Sequence, residues 1–295
     1  MSPTAVEESK PKAKRTTARG YEFGERGSHH ISLGGEHPFK RRDFQDPLEA
    51  RKHMLEHTAG AFRVFARKGY DEGEAGHCSV RDPIDPNTFW INPLGYHFGM
   101  ITAKDLVHVN EKGEILPDGN QAPINAAGFA IHSSLHQARP EVNAACHCHS
   151  IYGKAYSAFG KELDMLNQDA CLFYQNQAVY ADFGGVALEK DEGRAIAQAA
   201  GGANAVILQN HGLLTMGETI DEAAYLFTIF EKSCQVQLSV DAASSKEQPK
   251  QFVPDEEAAY SAYVTNDPDT LYAAFQPDYN YQVKLSNGDF LFSAD

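Results

Sequence analysis

The spacing of hydrophobic positions along the chain predicts both helices and strands. Apolar residues recur every three to four positions in four segments, which predicts amphipathic helices over residues 46–68, 125–138, 192–200 and 219–238. Shorter runs rich in β-branched, aromatic and aliphatic residues, bounded by Gly, Pro or Asn, predict strands. These runs are 73–81, which begins with a glycine-bearing turn, 88–95, which ends in a Pro-Gly turn, 106–109, 115–116, 144–150, 171–174 and 206–208.

The order of these elements predicts one α/β domain over residues 46–243. Helices are interleaved with strands, and the Asn and Gly at 110–113 indicate a hairpin turn. A short helix is expected at 153–158 and a loop at 183–186. We therefore expect a three-layer α/β/α architecture with a mixed, largely antiparallel central sheet.

The two ends of the chain differ from this domain in composition. Residues 1–45 are rich in Ser, Thr, Pro, Gly and basic residues, which predicts a disordered or extended N-terminal arm. Its basic run at 10–15 fits a nuclear-import patch or a solvated tail. Residues 244–295 are expected to form a polar linker followed by a tyrosine-bearing C-terminal tail that packs on another surface.

Composition restricts the classes of partner and compartment. The net charge of −14 argues against non-specific binding to nucleic acid or to an anionic membrane. No apolar run is long enough for a membrane span, and no signal peptide is recognisable. The five cysteines lie in predicted core elements rather than in loops, which argues against a disulfide framework. These features favour a cytoplasmic location.

Three histidines form a candidate metal site. His147 and His149 are separated by one residue in a predicted strand, so their side chains project from the same face. His211 follows another predicted strand, in an Asn-His-Gly turn. Two strands of one sheet could bring it beside the pair. Three neutral imidazoles suit a borderline divalent ion such as zinc and leave positions for water or substrate.

Other readings of these polar residues remain open. A single buried histidine is more often a hydrogen-bonded core residue than a ligand. Cys146 and Cys148 alternate with the histidines and should face the other way. His132 and His136 stand four apart on a predicted helix, which also suits a metal, but no acidic residue completes a His-Glu-x-x-His motif there.

Six short motifs, in order and with fitting gaps over about residues 46–240, resemble the class II aldolase/adducin family. They are GHCSVR (76–81), NPLG (92–95), AGF (127–129) with His132, RPEVN (139–143), HCH (147–149) and NHG (210–212). The resemblance implies a three-layer domain, usually a homotetramer with active sites at subunit boundaries. It also implies a zinc ion held by His147, His149 and His211, and substrate contacts at the motif residues Gly76, Asn92 and Gly95.

The chain departs from the family's sugar-phosphate aldolases at three places. Their metal-binding, proton-moving glutamate corresponds to Gly128, and the phosphate-binding serines beside it correspond to Ala126 and Ala127. An asparagine of their glycine turn corresponds to His77. A sugar phosphate is therefore not the expected substrate, and the Ala-Gly-Phe run resembles the adducin-like branch of the family.

These observations predict a metal-dependent lyase, of the aldolase or decarboxylase type, for a small hydroxy-carbonyl compound. The ion would be Zn²⁺, with Fe²⁺ or Mn²⁺ as alternatives. His77 is the first candidate for proton transfer because the usual pKa of histidine lies near neutrality. A tyrosine of the C-terminal tail, reaching across a subunit boundary, is the second. Two other functions stay open: a non-catalytic adducin-like interaction module, and a non-haem iron oxygenase on the same scaffold.

Overall fold

The computed structural model describes residues 16–24, 26–182 and 190–292. The basic run at 10–15 and the loop predicted at 183–186 lie outside these residues. Among the described residues, no helix is both long and apolar enough to cross a bilayer.

A seven-stranded mixed sheet forms the middle layer. Its order is β3-β2-β1-β4-β7-β6-β5, and every neighbouring pair is antiparallel except β5 and β6, which are parallel. The strands are β1 (His77–Arg81), β2 (Thr88–Ile91), β3 (Val107–Asn110), β4 (Ala144–Cys148), β5 (Gln177–Tyr180), β6 (Ala205–Leu208) and β7 (Gly212–Gly217).

In the part of the chain that the structure describes, seven α-helices pack around the sheet, and side chains cap several of them. Asp46 accepts a hydrogen bond from Leu48 N at the start of α1, and Asn125 accepts one from Gly128 N at the start of α2. Gly69 ends α1 in the left-handed conformation. The helices are α1 (Pro47–Lys68), α2 (Ala126–Ala138), α3 (Ile151–Ser157), α4 (Lys190–Ala200), α5 (Ile220–Ala243), α6 (Asp255–Thr265) and α7 (Pro268–Ser286).

Alternating strand residues separate the apolar clusters on the two faces of the sheet. Cys146 and Cys148 of β4 join the larger core with α1, α5 and α7, whereas Ala145 joins a second core with α2 and α4. Period-two alternation therefore sends neighbouring residues of one strand into different layers. The predicted three-layer α/β fold with a mixed, largely antiparallel sheet is confirmed.

Several segments differ from the sequence expectation: residues 115–116 form an isolated bridge rather than a strand, and β7 was not predicted. Residues 171–174 were predicted as a strand, but Ala170–Phe173 is a 3-10 helix and the strand is β5. That prediction was wrong because apolar side chains alone do not distinguish a short buried helical turn from a strand. In the C-terminal segment, α7 buries Leu271 and Phe275 in the larger core.

The described part of the N-terminal arm lies against α6. The Tyr21 ring stacks on Tyr260, with centroids 5.2 Å apart, and Phe23 meets Tyr263 edge-on. The described part of the arm therefore contacts the segment that was predicted to be a linker and tail.

Candidate metal centre

The strand pairing of β4 with β7 brings the three candidate histidines together. His147 is paired with Leu214 of β7, and His149 follows directly after β4. Asn210, with a φ of 57°, turns the chain between β6 and β7 and places His211 immediately before β7. An Asn is suited to this turn because it tolerates the left-handed conformation better than most residues.

The ring nitrogens of these histidines face a common point. One ligand atom from each of His147, His149 and His211 can be chosen so that all lie within 4.8 Å of one another. His149 Nε2 and His211 Nε2 are 3.0 Å apart. Two nitrogens bound to one tetrahedral zinc are separated by about 3.3 Å, given Zn–N bonds of about 2.0 Å. The spacing therefore fits ligands of a single ion.

Hydrogen bonding and burial prepare these imidazoles to act as ligands. His147 Nδ1–H donates to Leu213 O at 2.8 Å, which leaves Nε2 with its lone pair. Burial lowers the pKa of His147 well below its ordinary value, lowers that of His149, and lowers that of His211 to about 4. Neutral imidazole is the form that binds metal, so the described donor set fits a divalent ion.

His77 lies beside this cluster. It is the cross-strand partner of His147 in the β1–β4 pair, and the two ring centroids are 4.9 Å apart. The side chain is buried, and Nδ1 lies 2.8 Å from His132 Nε2. The structure therefore places the predicted proton-transfer residue next to a predicted ligand.

Two of the three predicted substrate-binding residues, Gly76 and Asn92, lie next to each other and close to the histidines. Gly76 has a φ of 97°, and a β-carbon there would lie 2.9 Å from Phe98 Cζ and 3.2 Å from His147 O. Asn92 Nδ2 donates to Gly76 O at 3.4 Å, while the buried Asn92 Oδ1 has no hydrogen-bond partner among the described residues. Gly95 has a φ of 80° and faces Glu74. A buried amide oxygen left unpaired fits a group that binds a ligand.

The alternative ligands of the sequence analysis lie elsewhere. Both cysteines of β4 are buried in the larger core, on the face opposite the histidines. His132 and His136 do not join the described metal group, because each hydrogen bonds to Ser79.

The candidate tyrosines of the C-terminal segment contact other parts of their own chain. Tyr279 stacks on His57 with ring centroids 4.0 Å apart, and Tyr281 lies against Arg67. The Tyr272 ring lies nearly parallel to the His57 ring, with centroids 6.2 Å apart.

Sequence reasoning missed two acidic residues that act on residues 149–153, here called the metal loop. Glu72, which forms an ion pair with Lys154, is close enough to favour the charged form of His149. Glu231 of α5 is buried and accepts hydrogen bonds from Ser150 Oγ, Tyr152 N and Gly153 N, directly after His149. A glutamate within the apolar stretch of a helix was the signal available for Glu231.

The chain is similar to known proteins in sequence over most of its length. Residues 56–238 match the family model described as Class II Aldolase and Adducin N-terminal domain. The "Meiotically up-regulated gene 14 protein" of Schizosaccharomyces pombe is 50% identical over 84% of this chain and 95% of its own length.

Two Streptomyces proteins are each 44% identical to this chain. One is "Decarboxylase NovR" of Streptomyces niveus, matched over 70% of this chain and 76% of its own. The other is "4-hydroxy-3-prenylphenylpyruvate oxygenase/4-hydroxy-3-prenylbenzoate synthase" of Streptomyces roseochromogenus subsp. oscitans, matched over 69% and 74%.

Among solved structures, "L-fuculose 1-phosphate aldolase from Glaciozyma antarctica PI12" superposes with a TM-score of 0.79. It is 38% identical, and the match covers 86% of this chain and 97% of that one.

Proposed function

This chain belongs to the class II aldolase and adducin family, and on that premise we propose that it is a metal-dependent lyase of the aldolase or decarboxylase type. The observation that carries the proposal is the convergence of His147, His149 and His211 on one point. Relatives named as a decarboxylase and as a sugar-phosphate aldolase support a lyase-type reaction. The proposed substrate is a small hydroxy-carbonyl compound.

The residues around the metal group can bind such a compound and move a proton. When bound, a divalent ion supplies Lewis acidity that polarises a substrate oxygen. His77, beside His147, would take a proton from the substrate or return one to the carbon left after C–C cleavage. Asn92 Oδ1, unpaired in the described structure, would accept a hydrogen bond from a substrate hydroxyl.

The proposed substrate lacks a phosphate. Ala126 and Ala127 offer no hydroxyl groups where sugar-phosphate aldolases of this family have serines, and Gly128 offers no carboxylate. The similar Glaciozyma protein is named for a sugar phosphate, so phosphorylated compounds belong in the test as the competing class.

Zinc is the proposed ion, with Fe²⁺ or Mn²⁺ as alternatives, because three imidazoles suit zinc and also accept other divalent ions. A second candidate function, an iron-dependent oxygenase, is favoured by one observation. The Streptomyces roseochromogenus relative, 44% identical, is named as an oxygenase. The same three histidines would hold the iron.

One experiment tests these functions together. Protein purified without oxygen is analysed for bound metal, reloaded with Zn²⁺, Mn²⁺ or Fe²⁺, and offered hydroxy-ketones, hydroxy-keto acids and sugar phosphates. We expect metal-dependent C–C cleavage of a non-phosphorylated compound without oxygen uptake, and its loss in His147→Ala. Cleavage that requires iron and consumes oxygen would favour the oxygenase. A protein that holds no stoichiometric metal, or cleaves nothing with any ion, would overturn the lyase and favour the interaction module.

We also propose a homotetramer with a cytoplasmic location. Class II aldolases are often oligomeric, and the apolar side chains of Met100, Ile151 and Phe159 are exposed in the single chain. All five cysteines are buried and free, as suits a reducing compartment. Light scattering should give a mass about four times that of the 32.4 kDa chain, and fractionation of the native cells should place the protein in the cytosol.

A further inference from the structure

A chain of hydrogen-bonded side chains runs from His77 into the interface between the sheet and α2. His77 Nδ1 lies 2.8 Å from His132 Nε2, and His132 Nδ1 lies 2.6 Å from Ser79 Oγ. Ser79 Oγ is also 2.8 Å from His136 Nε2, and His136 Nδ1 is 3.1 Å from Val142 O. The four side chains are buried.

The backbone carbonyl at the inner end sets the direction of every bond in this chain. Val142 O can only accept, so His136 Nδ1 carries a hydrogen. Burial lowers the pKa of His136 to about 3, and the Arg81 guanidinium lowers it further in the same direction. His136 is therefore neutral, with a single hydrogen, and its Nε2 must accept the hydrogen of Ser79.

The same reasoning continues outward to the metal site. Because Ser79 donates its hydroxyl hydrogen to His136 Nε2, Ser79 Oγ accepts a hydrogen bond from His132 Nδ1–H. Burial keeps His132 neutral by lowering its pKa well below the ordinary value, so His132 Nε2 is an acceptor. His77 Nδ1 must then donate to His132 Nε2, so in the neutral imidazole Nε2 is the nitrogen without a hydrogen.

We propose that Ser79, His132 and His136 are positioning residues that hold His77 in its Nδ1–H tautomer, so that Nε2 offers a lone pair to the substrate site. The inference rests on the proposed function, because a fixed lone pair is what a proton acceptor needs. The opposite tautomer would present an N–H group to the substrate. Because the hydrogen bond also fixes the orientation of the imidazole, His77 need not reorient during the reaction.

Neutron diffraction tests this assignment without an activity assay. Crystals of the zinc-loaded protein are exchanged into D₂O, and nuclear density is examined at the three imidazoles. We expect deuterium on Nδ1 of His77, His132 and His136, and none on His77 Nε2. Deuterium on His77 Nε2 would overturn the proposal, whatever reaction the protein catalyses. Absence of catalysis with the expected deuterium pattern would instead count against the lyase alone.

A serine pair on the two sides of the interface provides a matched variant test. Ser79→Ala removes the hydroxyl that joins His132 to His136, whereas Ser133→Ala removes a buried hydroxyl of α2 that donates to Ala130 O within its own helix. With ¹⁵N-labelled histidine, zinc-loaded Ser79→Ala should show His77 as a mixture of tautomers, while Ser133→Ala and Ser79→Thr should keep one. The exchange of the dihydroxyacetone α-hydrogen in D₂O should slow at least tenfold in Ser79→Ala only. A single unchanged His77 tautomer in folded Ser79→Ala would refute the proposal.

Discussion

The backbone of Gly128 approaches His77 so closely that a β-carbon on residue 128 would lie 2.4 Å from His77 Cδ2 and 2.8 Å from Nε2. The imidazole therefore occupies the space that any side chain at position 128 would need. The absence of a side chain at position 128 and the presence of the imidazole at position 77 therefore depend on each other. His77 in turn lies beside His147, with ring centroids 4.9 Å apart.

Gly128→Ala should displace His77, because no real β-carbon tolerates a 2.4 Å contact. We expect a loss of about 1–3 kcal/mol in the free energy of unfolding, as is typical of overpacking. Adding His77→Ala should restore most of that loss, giving a positive coupling in a double-mutant cycle. Urea denaturation measures the free energy of unfolding of the wild type, the two single variants and the double variant.

Gly202→Ala, where nothing lies within 4 Å of the added carbon, is the control. Additive effects at 77 and 128 would contradict the shared-space account.

Removing one ligand should abolish tight metal binding. His147→Ala is expected to lower zinc affinity by more than about a hundredfold, since losing even an outer-shell partner costs about 10–100-fold. Cys148→Ala, next to it on the same strand but facing the larger core, should keep full metal content. His108→Gln, a buried histidine bound to Asp118, should also keep it. Elemental analysis and competition with a chelator give the comparison. Loss of metal in Cys148→Ala would show that the strand faces are assigned wrongly.

Sequence reasoning predicted the layers and the convergence of His147, His149 and His211 because both depend on period-two alternation along β4. His147 lies on one face of the sheet, and Cys146 and Cys148 lie on the other. A shift of one residue in the register of β4 would exchange these faces. The partners of the histidines were harder to predict. Ser79 and His132 meet only because β1 packs on α2, and that contact joins residues 53 apart.

The same limit explains the residues that were missed. Glu231 lies 81 residues after Ser150, and nothing in the local sequence of either indicates that they bond. The strand predicted at 171–174 failed for a related reason, since four apolar residues satisfy a buried 3-10 turn as well as a strand. Local periodicity determines which face a residue occupies, whereas packing determines which partner it contacts.

Glu231 should be required for the geometry of the loop after His149. Glu231→Ala leaves three donors, Ser150 Oγ, Tyr152 N and Gly153 N, without their acceptor. We expect a loss of about 3 kcal/mol in the free energy of unfolding. Zinc affinity should fall about tenfold, because the loop holds His149.

The control for that variant lies on the same helix. Gln237 is equally buried but bonds to Asp164, away from the metal group. Gln237→Ala should therefore lower stability and leave zinc affinity unchanged. Equal zinc affinity in the Glu231 and Gln237 variants would show that Glu231 supports the fold and not the metal loop.

Glu222 should make the protein less stable as pH rises toward neutrality. Burial in the first turn of α5 raises its pKa from 4.5 to about 7, although its carboxylate accepts a hydrogen bond from Glu218 N at 2.6 Å. Between these two values the folded protein keeps a proton that the unfolded chain has released. Stability therefore falls with increasing pH across this range, by about 3 kcal/mol in total, and changes little from this source outside it.

Glu222→Gln tests this linkage because the amide stays neutral and can still accept the bond from Glu218 N. Below about pH 4.5 the two proteins should be equally stable, since both side chains are then uncharged. Above about pH 7 the variant should be more stable by about 3 kcal/mol. Urea denaturation from pH 4 to 8 measures the difference, with the exposed Glu247→Gln as control. Parallel stability curves for wild type and Glu222→Gln would mean that residue 222 carries the same charge in the folded and unfolded states.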